Sequence, residues 1–105
     1  MAGLQALVGQ GVDAIDTPAL VIDLDAMERN LHSMADFARS CGIRLRPHAK
    51  MHKCAALARL QIDAGAVGLC VQKTAEAERL AGHGIADLFI SNQVLAPAKL
   101  ARVAA

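Results

Sequence analysis

The residue types best suited to chemistry fall in one unbroken run, Arg44-Leu45-Arg46-Pro47-His48-Ala49-Lys50-Met51-His52-Lys53. In an extended strand alternate residues share a face. Arg44, Arg46, His48, Lys50 and His52 then line one side, provided the extended form persists that far. Ile43, Leu45, Pro47, Ala49 and Met51 line the other and would pack under helices. Five cationic or titratable groups on one face are costly unless an anion neutralises them, and a phosphate-bearing cofactor would do so. A lysine desolvated beside other cations gives up its proton more readily, and its free amine can form a Schiff base with a carbonyl. Lys50, near the strand end, is the candidate. The alternative is a solvated polar face on an edge strand. Lys53 is the nearest competitor, but alternation sets it on the opposite face.

Other polar residues are less pointed. His48 and His52 are four apart, which on a helix suits a metal, yet no acidic partner stands between them as in HExxH, and no metal site is expected. Alternation puts Gly68, Cys70 and Gln72 on one face of a later strand, with Gln72 near a pocket. Ser91 and Asn92 stand in the same relation to the strand after it, and a loop or cap role is the alternative for each. His32 and His83 read as surface residues. Cys41, Cys54 and Cys70 read as packing residues, because a free cysteine behaves as a small hydrophobe. The glycines fit neither GxGxxG nor GxxxxGK[ST], and no GxSxG is present.

The elements that must position these residues follow from pattern and punctuation. Residues 1–16 are aperiodic and read as an arm. An apolar run of strand length covers 19–24. Asp25 reads as the N-cap of a helix, with Glu28 completing a capping box. Leu31, Met34, Phe37, Ala38 and Cys41 recur at helical spacing as a core stripe, and Gly42 stops the helix. A second strand covers 43–49 and a helix covers 54–64, closed by Gly65. A third strand covers 67–71, and Thr74 caps a helix to about Ala81. A fourth strand covers 87–91, and Pro97 opens a fourth helix. This βαβαβαβα order implies a parallel sheet packed by helices, doubly wound or a barrel, with its active site at the C-terminal ends of the strands. Four such units cannot close an eight-stranded barrel, so an N-terminal fragment of a larger protein is expected.

Composition bounds the partners. The chain has 105 residues and is 54% hydrophobic, but 22 of those residues are alanine, and it has two Phe and no Trp or Tyr. Alanine brings little apolar area, so the chain is expected to lean on further protein. A net charge of +1 argues against a nucleic-acid partner. Three cysteines without a CxxC pair favour a reducing compartment. The N-terminus lacks the basic start and apolar run of a secretory signal, and no stretch reaches the roughly 18 apolar residues of a membrane span. A cytoplasmic protein without membrane partners is expected.

Four segments then occur together in order and spacing: residues 17–25, the Arg46-to-Lys53 run, Gly68-Leu69-Cys70-Val71-Gln72-Lys73, and Ile90-Ser91-Asn92-Gln93-Val94. The chain resembles the N-terminal part of the D-threonine aldolase / D-serine dehydratase-like family, over about residues 16–102. The RPHxKxHK core is the specific part. Met51 stands where a small residue or Thr is commoner, and Val71 where a second Cys often stands.

The resemblance implies a fold type III enzyme dependent on pyridoxal 5′-phosphate and related to alanine racemase. Its fold class would be α/β, the first part of a TIM-like (β/α)8 barrel over 26–105. The strand within 17–25 would belong to a C-terminal β domain. Lys50 would hold the cofactor as an internal aldimine, with Arg46, His48, Gln72 and Asn92 as cofactor-side residues and His52 in the substrate pocket. A divalent metal would be bound by residues not in this chain. The implied activity is retro-aldol cleavage of a D-β-hydroxy amino acid, D-threonine giving glycine and acetaldehyde, in an enzyme that is a homodimer. A D-serine dehydratase or a 3-hydroxy-D-aspartate aldolase is the alternative. A non-catalytic carrier of the cofactor, or an inactive fragment, is the alternative of another class.

Overall fold

A computed structural model describes residues 4–105. Two short 3-10 turns, Leu4–Leu7 and Val12–Ala14, lie in the arm. The regular elements that follow are α1 (Leu24–Ser40), α2 (Ala55–Asp63), β1 (Leu69–Val71), α3 (Thr74–Ala81), β2 (Leu88–Ile90) and α4 (Pro97–Ala104). β1 and β2 are parallel, with Leu69 opposite Leu88, Cys70 opposite Phe89 and Val71 opposite Ile90.

The basic run forms a third, irregular rung on the other side of β1. His48 bridges Cys70 in parallel. Ala49 N–H donates to Cys70 O at 2.7 Å, Cys70 N–H to Pro47 O at 2.8 Å and Val67 N–H to Leu45 O at 2.9 Å. The four residues 67–70 therefore stand opposite the three residues 45–47, and the extra residue is a bulge. Pro47 has no N–H to give the ladder there. The expected strand over 43–49 is thus present as a paired edge but interrupted, and extension ends at Ala49.

One sheet face is packed. Ala49, Leu69 and Val71 bury against Ala58 of α2, Leu80 of α3 and Ile85. These are small or branched residues, as the alanine-heavy composition required. The helices end as their glycines dictate. After α1, Gly42 adopts φ +65°, and the N–H groups of Gly42 and Ile43 return to Arg39 O and Ala38 O, a Schellman closure. On the opposite sheet face Cys70 is half-buried and Phe89 is exposed.

Four expectations are corrected. The expected strand over 19–24 stops short, since Leu24 already opens α1; 19–23 have no strand partner among the described residues and Leu20 is 88% exposed, as a strand completed by a further β domain would be. The N-cap is Asp23, whose side chain accepts from Ala26 N–H at 2.9 Å, and not Asp25. A carboxylate caps by reaching the donor three residues on, and the helix begins two residues earlier than the apolar periodicity suggested. The α1 stripe is only partly core. Ala35 and Ala38 are buried, while Met34, Phe37 and Cys41 are exposed, because nothing among the described residues covers that side of the helix. Finally, α3 is preceded by Lys73 as N-cap, with Thr74 buried as its first residue.

Candidate active site

Strand register sets which polar groups meet. Arg46, His48, Cys70 and Phe89 belong to the open face, with Gln72 and Ser91 two residues beyond the paired Cys70 and Phe89. Arg46 lies at the end where the strands begin. Its guanidinium pairs with Asp87 at 2.7 Å. The hydrogen bond raises the arginine's already high pKa and lowers that of Asp87. Gly68 sits between them, and a Cβ there would stand 2.4 Å from both Arg46 Nη1 and the Asp87 carbonyl oxygen. The close approach of Arg46 and Asp87 therefore leaves room only for a glycine here.

At the C-terminal end the chain turns over. Residues 50–52 leave the extended form, and Lys53 N–H donates back to Ala49 O at 2.8 Å. Lys53 closes the turn with φ +49°. This overturns the expectation that Lys50 and His52 continue one face with His48 and that Met51 packs beneath. Met51 is 85% exposed. His52 turns to α2, where Nε2 lies 3.1 Å from Gln61 Oε1 and Nδ1 accepts Cys54 N–H. Lys50 is exposed, and no carboxylate pairs with its amine among the described residues. Desolvation, the reason first given for its reactivity, is not supplied by these residues.

Lys53 is fully engaged. Its Nζ lies 2.5 Å from Glu76 Oε1, while Glu76 Oε2 accepts the N–H groups of Gln72 and Lys73 at 2.9 and 3.1 Å. The Glu76 side chain is only 11% exposed. The Lys53 hydrogen bond first, with the two backbone donors, holds its pKa at about 2 against burial. Glu76 thereby ties the turn after Lys50 to the loop carrying Gln72. Sequence reasoning missed it. The signal was an acidic residue in the first turn of a helix, three residues after the N-cap.

Gln72 and Asn92 meet in a cleft of about 270 Å³ at the C-terminal ends of β1 and β2, also lined by Lys73, Thr74, Gln93, Lys99 and Arg102. Arg102 is bound to Glu78. Lys73 and Lys99 pair with no carboxylate among the described residues. Cys41, Cys54 and Cys70 are free thiols, and Cys41 is exposed, not packed. Among the described residues no group of three His, Cys, Asp or Glu is placed to hold a metal. Among the described residues no helix is long and apolar enough to cross a membrane.

Comparison with known proteins matches residues 22–105 to the family described as alanine racemase, N-terminal domain. The chain belongs to that family. It is 46% identical over 102 residues to 3-hydroxy-D-aspartate aldolase of Paracoccus denitrificans, covering 96% of this chain and 26% of that protein. It is 47% identical over 93 residues to D-threonine aldolase of Arthrobacter sp, covering 89% and 24%. Among solved structures, D-threonine aldolase from Filomicrobium marinum superposes with a TM-score of 0.84 at 56% identity, covering 86% of this chain and 24% of that one. D-threo-3-hydroxyaspartate dehydratase from Delftia sp. HT23 superposes with a TM-score of 0.80 at 40% identity, covering 87% and 24%. The chain thus spans about a quarter of the length of these relatives. Its helices and parallel strands are the first βα units of an alanine racemase-type barrel, within the fold type III group.

An anionic, aldehyde-bearing cofactor needs an amine without a counter-ion, and cations that no carboxylate has claimed. Lys50 meets the first need among the described residues; Lys73 and Lys99 meet the second on a cleft that Lys50 itself does not line. The residues present fit such a group.

Proposed function

We propose that this chain is the lysine-bearing part of a pyridoxal-phosphate-dependent lyase acting on D-β-hydroxy amino acids, of D-threonine aldolase type. The observation that carries the reading is Lys50, an amine left without a counter-ion at the C-terminal edge of a parallel sheet, inside the Arg46-to-Lys53 run. Bound pyridoxal phosphate supplies the electron sink for the carbanion that bond cleavage leaves. Lys50 is the amine that would hold the cofactor through its aldehyde. Gln72 and Asn92 line one cleft at the ends of β1 and β2 and offer amides to polar groups of cofactor or substrate. Lys73 and Lys99 give that cleft a positive potential suited to carboxylate and phosphate. His52, held by Gln61, stands beside the turn and not in the cleft.

D-threonine would be split between Cα and Cβ into glycine and acetaldehyde. The aldolase is preferred over the dehydratase because the solved D-threonine aldolase shares more sequence with this chain than the dehydratase does. A 3-hydroxy-D-aspartate aldolase is the second reading, favoured by a relative of nearly equal identity over more of the chain. No metal ligand is assigned to these residues. A cytoplasmic homodimer is part of the same proposal.

The test is borohydride reduction of the intact protein with pyridoxal phosphate, followed by peptide mapping. An adduct confined to Lys50 supports the reading, and scattered labelling or none rejects it. Aldehyde release from D-threonine, against release from 3-hydroxy-D-aspartate or formation of a 2-oxo acid with ammonia, then separates the activities. Cofactor uptake without any release would mark a carrier.

A further inference from the structure

We propose that His48 is a positioning residue for Lys50, and that Ser91 fixes the ring form in which it works. This rests on the reading of Lys50 given above. The hydrogen bonds around the ring allow one proton assignment. Lys50 N–H donates to His48 Nδ1 at 3.2 Å, so Nδ1 is the bare, accepting nitrogen. The neutral ring then carries its proton on Nε2. Nε2 lies 3.2 Å from Ser91 Oγ, and Oγ donates its own proton to Val71 O at 3.3 Å. With that proton committed, Oγ offers Nε2–H a lone pair.

Ser91 is itself anchored, because its backbone N–H donates to the same Val71 carbonyl at 2.9 Å. The donors therefore run in one direction, from the Lys50 amide through the ring and the hydroxyl to the end of β1. Both ring nitrogens are engaged, so in this arrangement His48 is neither a base nor a ligand. It acts on Lys50 through the backbone, at the residue where the extended segment turns over. The last sheet hydrogen bond is made by Ala49 N–H and the next backbone bond of the turn by Lys53 N–H. Between them the ring supplies the fixed acceptor for Lys50. A neutral ring with its proton on Nδ1, or a doubly protonated ring, has no acceptor there.

Asparagine and glutamine separate the two ring nitrogens. The oxygen of Asn stands near the place of Nδ1, and the amide nitrogen of Gln near that of Nε2. In the intact protein His48→Asn is expected to keep amide hydrogen exchange at Lys50 within about twofold of the parent. His48→Gln should speed it about tenfold, the loss of one ordinary hydrogen bond. Borohydride labelling of Lys50 by pyridoxal phosphate should follow the same order, kept in the first variant and spread to other lysines in the second. The ¹⁵N spectrum of the parent should show the Nε2–H form of His48, and Ser91→Ala should give a mixture of the two neutral forms. Nδ1–H in the parent, or equal acceleration of Lys50 exchange in both His48 variants, would overturn the proposal. The parent spectrum needs no variant to fold. An unlabelled Lys50 in the parent rejects the functional reading alone, since exchange and tautomer still decide whether His48 positions that residue.

Discussion

The two ends of the open sheet face treat their cations in opposite ways. Where the strands begin, Arg46 meets Asp87 and the charge is balanced within the protein. Where they end, Lys50 is held through its backbone N–H by His48, while its amine meets no carboxylate among the described residues. Its neighbour Lys53 is neutralised by Glu76. Geometry is fixed at that end and charge is left over. An external anion or carbonyl needs both, because a site works when its groups are held by their surroundings and are not consumed by them. The Arg46 end has stability chemistry; the Lys50 end has the makings of binding chemistry.

The sharpest break of this contrast is Lys50→Ala. Reductive labelling by pyridoxal phosphate is expected to vanish, with the fold unchanged by circular dichroism, since an exposed side chain supports little packing. Label that persists at Lys53 or Lys73 would move the functional end of the face elsewhere. The next largest effect belongs to Glu76. Its loss leaves two backbone donors and Lys53 without their acceptor. Glu76→Ala should cost about 1–3 kcal/mol by urea unfolding, the usual range for donors left without their acceptor. A cost below about 0.5 kcal/mol would show that the turn does not depend on it.

The pH dependence follows from the same carboxylate. Its folded pKa, about 2, lies below its ordinary value of 4.5, so its contribution is complete above the ordinary value and is lost as pH falls through the folded one. Asp87 and Glu78 are shifted in the same direction by Arg46 and Arg102. Unfolding free energy should therefore fall as pH goes from about 5 to 2. Glu76→Gln should flatten that fall. An identical slope in parent and variant would assign the acid sensitivity to other groups.

The chemistry of the basic run was more legible than its shape. Alternation paired Arg46 with His48 on the open face and put Ala49 beneath, as found. It failed at Lys50, because periodicity does not see the one-turn closure from Ala49 O to Lys53 N, nor the positive φ at Lys53. The strands at β1 and β2 were readable from short branched runs bounded by glycine and polar residues, and Gly42 announced its helix end. Residues 19–24 looked like a strand for equally sound reasons. A strand is completed by a neighbour, and a neighbour is a long-range fact that composition does not carry. The α1 stripe misled in the same way, since amphipathic spacing shows what wants covering and not what covers it. Glu76 and Asp87 escaped notice because each gains its role from a partner more than twenty residues away.

Two smaller perturbations test whether the ends of the face are independent. Gly68→Ala places a methyl group against the Asp87 backbone carbonyl, which cannot swing aside as a side chain does. It should destabilise by about 1–3 kcal/mol, the usual range for overpacking. Arg46→Met should have the smallest effect of all. The pair it breaks is solvent-screened, with Asp87 60% exposed, and such pairs contribute little. Its melting temperature should fall less than that of Gly68→Ala, and Asp87→Asn should behave alike. More telling is the reductive label at Lys50, which Arg46→Met should leave within about twofold, since the residue joins neither the turn nor the cleft. If the label falls with the arginine, the two ends form one electrostatic unit and the internal balance at Asp87 is partial. If it holds, Arg46 anchors the sheet, and the residues to vary for cofactor binding are those beyond Cys70 and Phe89.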